Sequence, residues 1–284
     1  MSEAPDPYRA VALHLPNAVE IGGALITMVE PNPGFERAYN RWYEDDHFYS
    51  GAMQGPWTFA GRRWVAPRAL RERRASVADS VVQPPDAGCY ISTYWVTRGH
   101  EEDNERWSYE AMDKALMPYP GRGFVERTHV YTAFHRYRFG LVRDPDGPMK
   151  PHLALDAPFG GLLVEVVDAP SPGGLPALET WLRDTHLPAH LGSSDAGAVL
   201  AFTPVPFSQG RIEQPGTKAV EPPAGVGVQL CLLWFLDGDP LAGAGAAIAA
   251  HHADLAASGL GTLRFSGAFV PTHVGTDDYV DDLR

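Results

Sequence analysis

The chain has 284 residues, of which 44% are hydrophobic and 20% charged, which is ordinary for a globular protein of one large or two average domains. Its net charge of −12, with an arginine-rich stretch confined to residues 62–74, argues against binding to nucleic acid or anionic membrane. No apolar signal segment or run of transmembrane length occurs, so we expect a cytoplasmic protein in which Cys89 and Cys231 remain free thiols.

The first half of the chain alternates between strand and helix patterns. Residues 1–20 are proline-rich and aperiodic, and we expect an N-terminal arm. The following patterns predict a strand over 24–30, a helix over 35–49, strands over 57–65 and 89–96, a helix over 102–116, and a strand over 129–139. This order describes a ferredoxin-like unit, an antiparallel sheet with both helices on one face.

The second half repeats this order after a proline-rich connection. Strands are predicted over 162–167, 199–203, 228–236 and 263–270. One helix is predicted to run through Trp181 and another to span about 240–257. We therefore divide the chain into the arm, a first repeat (21–139), a linker (140–160), a second repeat (161–274) and an acidic tail (275–284).

Matched residues at one offset indicate a tandem duplication. Trp42 and His47 recur as Trp181 and His186, and Pro-Asn-Pro-Gly at 31–34 recurs as Pro-Ser-Pro-Gly. In each copy the Asn or Ser is predicted to be a helix N-cap. Because each ferredoxin-like sheet has one bare face, we expect the two to cover each other in a pseudo-dimeric α+β barrel, with a ligand cavity between the sheets.

The helix ends at residues 42–48 and 181–190 resemble those of the dimeric α+β barrel superfamily, most closely its EthD-like and stress-responsive branches. In these branches an aromatic residue precedes a histidine that is often followed by a proline. His186-Leu187-Pro188 fits this pattern, whereas His47 lacks the proline. The resemblance implies a small-molecule ligand. It leaves the chemistry open, because the superfamily includes cyclases, isomerases, dehydratases, decarboxylases, cofactor-free monooxygenases, haem enzymes and members without known activity.

The end of the first predicted helix carries candidates for proton transfer. Tyr43 and Glu44 lie four and three residues before His47, so they can share one helical stripe with it. We expect His47 to act as base or acid, Glu44 or Asp46 to fix its tautomer, and Tyr43 to donate to an enolate. The alternative is structural: a histidine at a helix end stabilises the last carbonyls, and the retention of His186 in the second copy favours this role.

Further side chains are candidates for binding the substrate. Alternation along the strand over 129–139 places His129, Tyr131, His135 and Tyr137 on one face, which either lines a polar cavity or faces solvent. Trp42, His186 and His190 complete the predicted substrate-binding set.

We expect no metal and no organic cofactor. His186 and His190 are four residues apart and His251 adjoins His252, but no third ligand follows at a diagnostic spacing. A glycine-rich phosphate loop and a nucleophile elbow are also missing from the sequence.

The sequence thus predicts a cofactor-independent enzyme that performs proton-transfer chemistry on a hydrophobic, aromatic or polyketide-like molecule. The reactions in view are cyclisation, isomerisation, dehydration and decarboxylation. The alternatives are a non-catalytic ligand-binding or stress-response protein and a cofactor-free monooxygenase. Association into a homodimer is possible through the exposed helices.

Overall fold

The fold was analysed in a computed structural model that describes residues 19–116, 118–119, 122–210, 212, 219–242 and 245–284. The predicted N-terminal arm lies outside these residues except for its last two positions.

The described residues form an α+β structure with one large sheet. Its strands are β1 (Ile21–Pro31), β2 (Thr58–Val65), β3 (Ala75–Ser76), β4 (Tyr90–Thr97), β5 (Arg127–Val142), β6 (Gly161–Asp168), β7 (Ala196–Pro204), β8 (Gln229–Leu236) and β9 (Thr262–Pro271). Its α-helices are α1 (Glu36–Trp42), α2 (Arg68–Arg71), α3 (Glu101–Ala111), α4 (Leu175–Trp181), α5 (Leu187–Leu191) and α6 (Gly245–Ser258). Wider π-helical segments follow α1 (Tyr43–Met53), α3 (Met112–Leu116) and α4 (Leu182–His186).

The sheet is antiparallel and closes on itself. Its strand order is β2-β4-β1-β5-β7-β8-β6-β9-β3, and β2 also pairs with β9 through Trp64 with Pro271 and Val65 with Val270. Apart from the short β3, each half of the chain contributes its second, third, first and fourth strands in that spatial order. This closed order confirms the dimeric α+β barrel fold that the sequence resemblance implied.

Aromatic side chains fill the interior of the barrel, where the sequence predicted a ligand cavity. Trp95 on β4 stacks on Phe202 of β7 with ring centroids 5.1 Å apart, and Trp64 on β2 lies 6.1 Å from Phe235 on β8. Neither pair of strands is adjacent in the sheet, so both contacts cross the interior. All four side chains are buried, because the alternating strands of both halves turn large residues inward. The predicted location of the cavity was wrong for this reason.

The helix after β1 differs from its predicted start and shape. Phe35 is its N-cap, while the Asn32 side chain donates to Glu126 over 2.7 Å, and Ser171 likewise makes no capping hydrogen bond. From Tyr43 onward the helix widens into a π-helix, a conformation that is frequent at functional sites.

The acidic tail packs against α1. Asp277 forms an ion pair with Arg37 over 2.8 Å, and Leu283 is buried. Across the part of the chain that the structure describes, no helix has the length and apolar character needed to cross a membrane.

Candidate functional site

A cavity of about 90 Å³ lies in the first half of the chain, outside the barrel. It is bounded by the π-helical segment that follows α1, by α3, and by the helix-covered face of β1 and β5. Residues of mixed chemistry line it, among them Thr27, Tyr43, His47, Gly51, Tyr94, Met112, Arg127, His129 and Thr132. The cavity therefore brings two histidines, three phenols and a guanidinium to one space.

The tryptophan and histidine of the repeated pattern form a stack, and its histidine, His47, lines this cavity. The rings of Trp42 and His47 are 4.3 Å apart and nearly parallel, at 18°. The ring of Tyr43 meets His47 edge-on, with centroids 5.1 Å apart. Trp42 is held in turn by a hydrogen bond from its Nε1 to the carbonyl of Arg122. The indole thus fixes the plane of the imidazole.

His47 is neutral and lacks a hydrogen bond at a buried nitrogen. Burial lowers its pKa well below the usual 6.5, and the neighbouring Arg127 and His129 lower it further. Its Nδ1 is buried without a hydrogen-bond partner among the described residues. A methyl group at Gly51 would lie 2.4 Å from Nδ1, so only glycine leaves room for this ring. The imidazole is free to accept a proton.

Positive charge borders the same space. The Arg127 guanidinium lies 4.6 Å from the centre of the Trp42 ring, and burial lowers its pKa. Nδ1 of His129 lies 2.8 Å from the Thr132 hydroxyl, which itself lies 2.7 Å from the hydroxyl of Thr27. A group that develops negative charge here would meet a cation and several polar hydrogens in a low-dielectric environment.

Tyr43 and Tyr94 contact each other through their hydroxyl groups. The hydroxyls of Tyr43 and Tyr94 are 2.6 Å apart. Burial, and then the neighbouring Tyr43, raise the pKa of Tyr94 well above 10. Both rings are buried, and both line the cavity.

Glu44 and Asp46 are not brought to His47. Glu44 accepts hydrogen bonds from Arg63 over 3.1 Å, from Arg41 over 2.5 Å and from the backbone of Gly275 over 2.9 Å. Asp46 pairs with Arg122 over 3.0 Å. The expectation that either carboxylate fixes the tautomer of His47 was wrong, because widening of the helix after Trp42 breaks the spacing on which the shared stripe depended.

An irregularity divides β5, the strand predicted to place four residues on one face. The register of β5 against β1 shifts between the pairs Met28–Tyr131 and Val29–His129, as at a β-bulge. His129 consequently reaches the cavity, whereas Tyr131 and His135 point into the barrel. There the Tyr131 hydroxyl donates to Nε2 of His135 over 2.7 Å, because Nδ1 of that ring donates to the carbonyl of Ala133.

In the second half, His186 stacks on Trp181 as His47 does on Trp42, but it does not line the first-half cavity. Its ring lies 4.3 Å from Trp181 at 19°. Its Nε2 is 2.6 Å from Nδ1 of His251, and His190 lies beside it with ring centroids 4.4 Å apart. His186 and His190 are therefore remote from the first cavity and belong to a separate cluster. Burial, with His251 and His190 nearby, lowers the pKa of His186 to about 4.

Sequence reasoning missed Arg127 and Glu165, and it noted His251 only as the neighbour of His252. Arg127 stands just before a predicted strand without a pattern of its own. His251 and Glu165 lie in different elements from His186, and only the folded chain brings them within hydrogen-bond distance. The one signal in the sequence for this cluster was the adjacent pair His251-His252, which had no partner at a short spacing.

Comparison with known proteins gave structural neighbours only. No protein-family model and no curated protein sequence matches the chain. An anthrone oxidase-like protein aligns at 11% identity with a TM-score of 0.46, over 90% of this chain and 95% of its own. A haem complex of a Rhodococcus jostii DypB variant aligns at 11% identity and a TM-score of 0.49, over 95% and 98%. Identities this low carry no information about chemistry, and the fold assignment rests on the strand order of the chain itself.

Proposed function

We propose that this protein is an acid–base enzyme that removes an acidic proton from a small aromatic or polyketide-like molecule in the first-half cavity. The observation that carries this proposal is the imidazole of His47. It is buried, neutral and without a hydrogen bond at Nδ1, and it stands on the wall of a cavity that also contains a buried guanidinium.

The environment of His47 selects the kind of proton. A lowered pKa makes the imidazole a weak base that is already deprotonated at neutral pH, so the proton it takes must be acidic. A carbon between two carbonyl groups and a phenol both meet this requirement. Arg127 then stabilises the enolate or phenolate, and the Tyr43 hydroxyl donates to its oxygen.

The size of the cavity limits the substrate. At about 90 Å³ it is smaller than the roughly 300–1,000 Å³ of typical ligand pockets, so it suits a single ring or the reacting end of a larger molecule. The aromatic rings of Tyr94 and Phe134 and the apolar side chain of Met112 in its lining favour an aromatic or conjugated group. Three reactions share this first step: return of the proton at another carbon gives isomerisation, attack of the enolate carbon on a carbonyl of the same molecule gives cyclisation, and loss of a hydroxyl group as water gives dehydration.

We also propose that the two halves, 21–139 and 161–274, arose by duplication of one unit and that only the first retains this activity. Two observations support it: the common strand order, and the stacks of Trp42 on His47 and Trp181 on His186, which have the same 4.3 Å spacing.

The free buried thiols of Cys89 and Cys231 suit a cytoplasmic location.

Solvent exchange tests the proposed activity without knowledge of the full reaction. Aromatic and polyketide-like 1,3-dicarbonyl compounds are incubated with the protein in deuterated buffer, and loss of the acidic C–H signal is followed by NMR. We expect exchange by the wild-type chain, and a rate lower by about 10²–10⁴ in His47→Ala with ligand affinity retained. His186→Ala, which removes the matching ring of the second half, should exchange like wild type.

Three results would contradict the proposal. Binding without exchange would make the protein a ligand-binding module. Equal loss of exchange in the two histidine variants, with both folded, would remove the assignment to the first half. Oxygen uptake with the same compounds would favour a monooxygenase.

A further inference from the structure

The second half of the chain contains a histidine cluster at the position that is open in the first half. At the offset of the sequence repeat, His186 corresponds to His47, His190 to Gly51 and His251 to Met112. Gly51 and Met112 line the first-half cavity. The second half thus fills the equivalent space with nitrogen ligands instead of leaving it for a molecule.

Three of these histidines converge on one point. His186 and His190 are four residues apart along a continuous helical stretch, so they share a face, and His251 approaches them from α6. One nitrogen from each ring lies within 4.8 Å of the others. Two ligands of a single zinc-sized ion stand at most about 4.2 Å apart, so small side-chain adjustments bring all three into one coordination shell.

A buried carboxylate orients the central histidine. Nε2 of His251 donates to Glu165 over 2.7 Å, which leaves Nδ1 of the same ring directed at His186. Glu165 is fully buried and also accepts from Trp234 over 2.8 Å and from Ser266 over 3.2 Å. Metal-binding histidines commonly donate their other N–H to a carboxylate in this way, which fixes the tautomer that coordinates.

Charge and access also suit a cation. The side chain of His190 is 12% exposed, and its Nε2 lies 3.1 Å from Asp254, whose side chain is largely in solvent. This edge is a path of entry and a source of a fourth ligand. A divalent ion on three neutral imidazoles would balance the charges of Glu165 and Asp254, one of which is fully buried.

We propose that His186, His190 and His251 bind one divalent transition-metal ion of the zinc class, with Glu165 as the residue that positions His251. This site is separate from the first-half cavity, and its existence does not depend on the activity proposed there. His252 is assigned to the carboxylate instead of to the ion, because its Nε2 lies 2.6 Å from the second oxygen of Glu165.

Metal titration of the full-length chain tests the site. The protein is stripped with a chelator and titrated with Zn²⁺ and with Co²⁺, using calorimetry for stoichiometry and the visible spectrum of Co²⁺ for ligand geometry. We expect one ion per chain. His190→Ala should bind at least tenfold more weakly, and Glu165→Gln about 10- to 100-fold more weakly. His190 lies at the accessible edge, so its variant should fold.

Two further variants make the ligand assignment decisive. His252→Ala keeps all three proposed ligands and should bind within a few-fold of wild type, as should His273→Ala, which removes a half-exposed histidine elsewhere. Absence of stoichiometric binding by the wild-type chain would overturn the proposal. Loss of binding in His252→Ala but not in His190→Ala would also overturn it, since the ion would then lie between Glu165, His251 and His252.

Discussion

Replacement of Glu44 by glutamine should destabilise the fold instead of selectively impairing chemistry. Glu44 and Arg63 form an ion pair over 3.1 Å, with side chains only 5% and 3% exposed. Without the carboxylate charge, Arg63 is left as a buried cation, and breaking a buried pair in this way typically costs about 3–5 kcal/mol. The amide of Asn40, which accepts from Arg63 over 3.2 Å, and the ring of Tyr43 at 4.4 Å offset part of that cost. We therefore expect Glu44→Gln to lower the free energy of unfolding by about 3 kcal/mol.

Urea unfolding measures this loss directly. The matched control is Glu72→Gln, since Glu72 forms an i,i+4 pair with Arg68 on the surface, where both side chains are about two-thirds exposed. That control should change the free energy of unfolding by less than about 0.5 kcal/mol. The double variant Glu44→Gln/Arg63→Met should recover part of the stability lost in the single variant. A Glu44→Gln protein as stable as wild type but without proton exchange would refute this reasoning and return Glu44 to the catalytic group.

Two other predictions concern the buried histidines His47 and His135. Gly51→Ala should displace the His47 ring, because the new methyl group would lie 2.4 Å from Nδ1. We expect proton exchange to be roughly 10²-fold slower in this variant. The control is Gly173→Ala, whose new methyl group would have its nearest neighbour at 3.9 Å and should leave the exchange rate unchanged. An unchanged rate in Gly51→Ala would contradict the placement of the ring. Burial lowers the pKa of His135 to about 3. Below pH 6.5 protons therefore bind preferentially to the unfolded chain. As the pH decreases from 6.5, this residue should lower the free energy of unfolding by up to about 1.4 kcal/mol per pH unit. His135→Gln should flatten the pH dependence of urea midpoints between pH 6.5 and 4, and an unaltered slope would argue against a neutral, buried ring.

Local patterns were sufficient to predict every described strand except the two-residue β3. The predicted run over 228–236 is observed as Gln229–Leu236, and that over 263–270 as Thr262–Pro271. The alternation and β-branching that are typical of a strand are properties of neighbouring residues, so they can be recognised from the sequence alone. The order of these elements also fixed the ferredoxin-like topology of each half.

The site depended on features without a local signature. A π-helix changes the angular spacing of residues after Trp42, so Glu44 left the stripe that it would share with His47 in a regular α-helix. A register shift in β5 separated His129 from Tyr131. Tertiary packing alone brought His251 to His186, 65 positions apart. Spacing rules fail in each case because the deciding contact is made by a distant element.

The most direct test of His47 as the group that moves the proton is chemical rescue. His47→Ala leaves a hole of the size of an imidazole against Trp42, and free imidazole added to this variant can occupy it. If His47 acts as the base, the exchange rate of the variant should rise in proportion to the concentration of neutral imidazole, while the wild-type rate stays constant. An exchange rate in His47→Ala that does not respond to imidazole, with the variant folded and binding its ligand normally, would contradict the assignment.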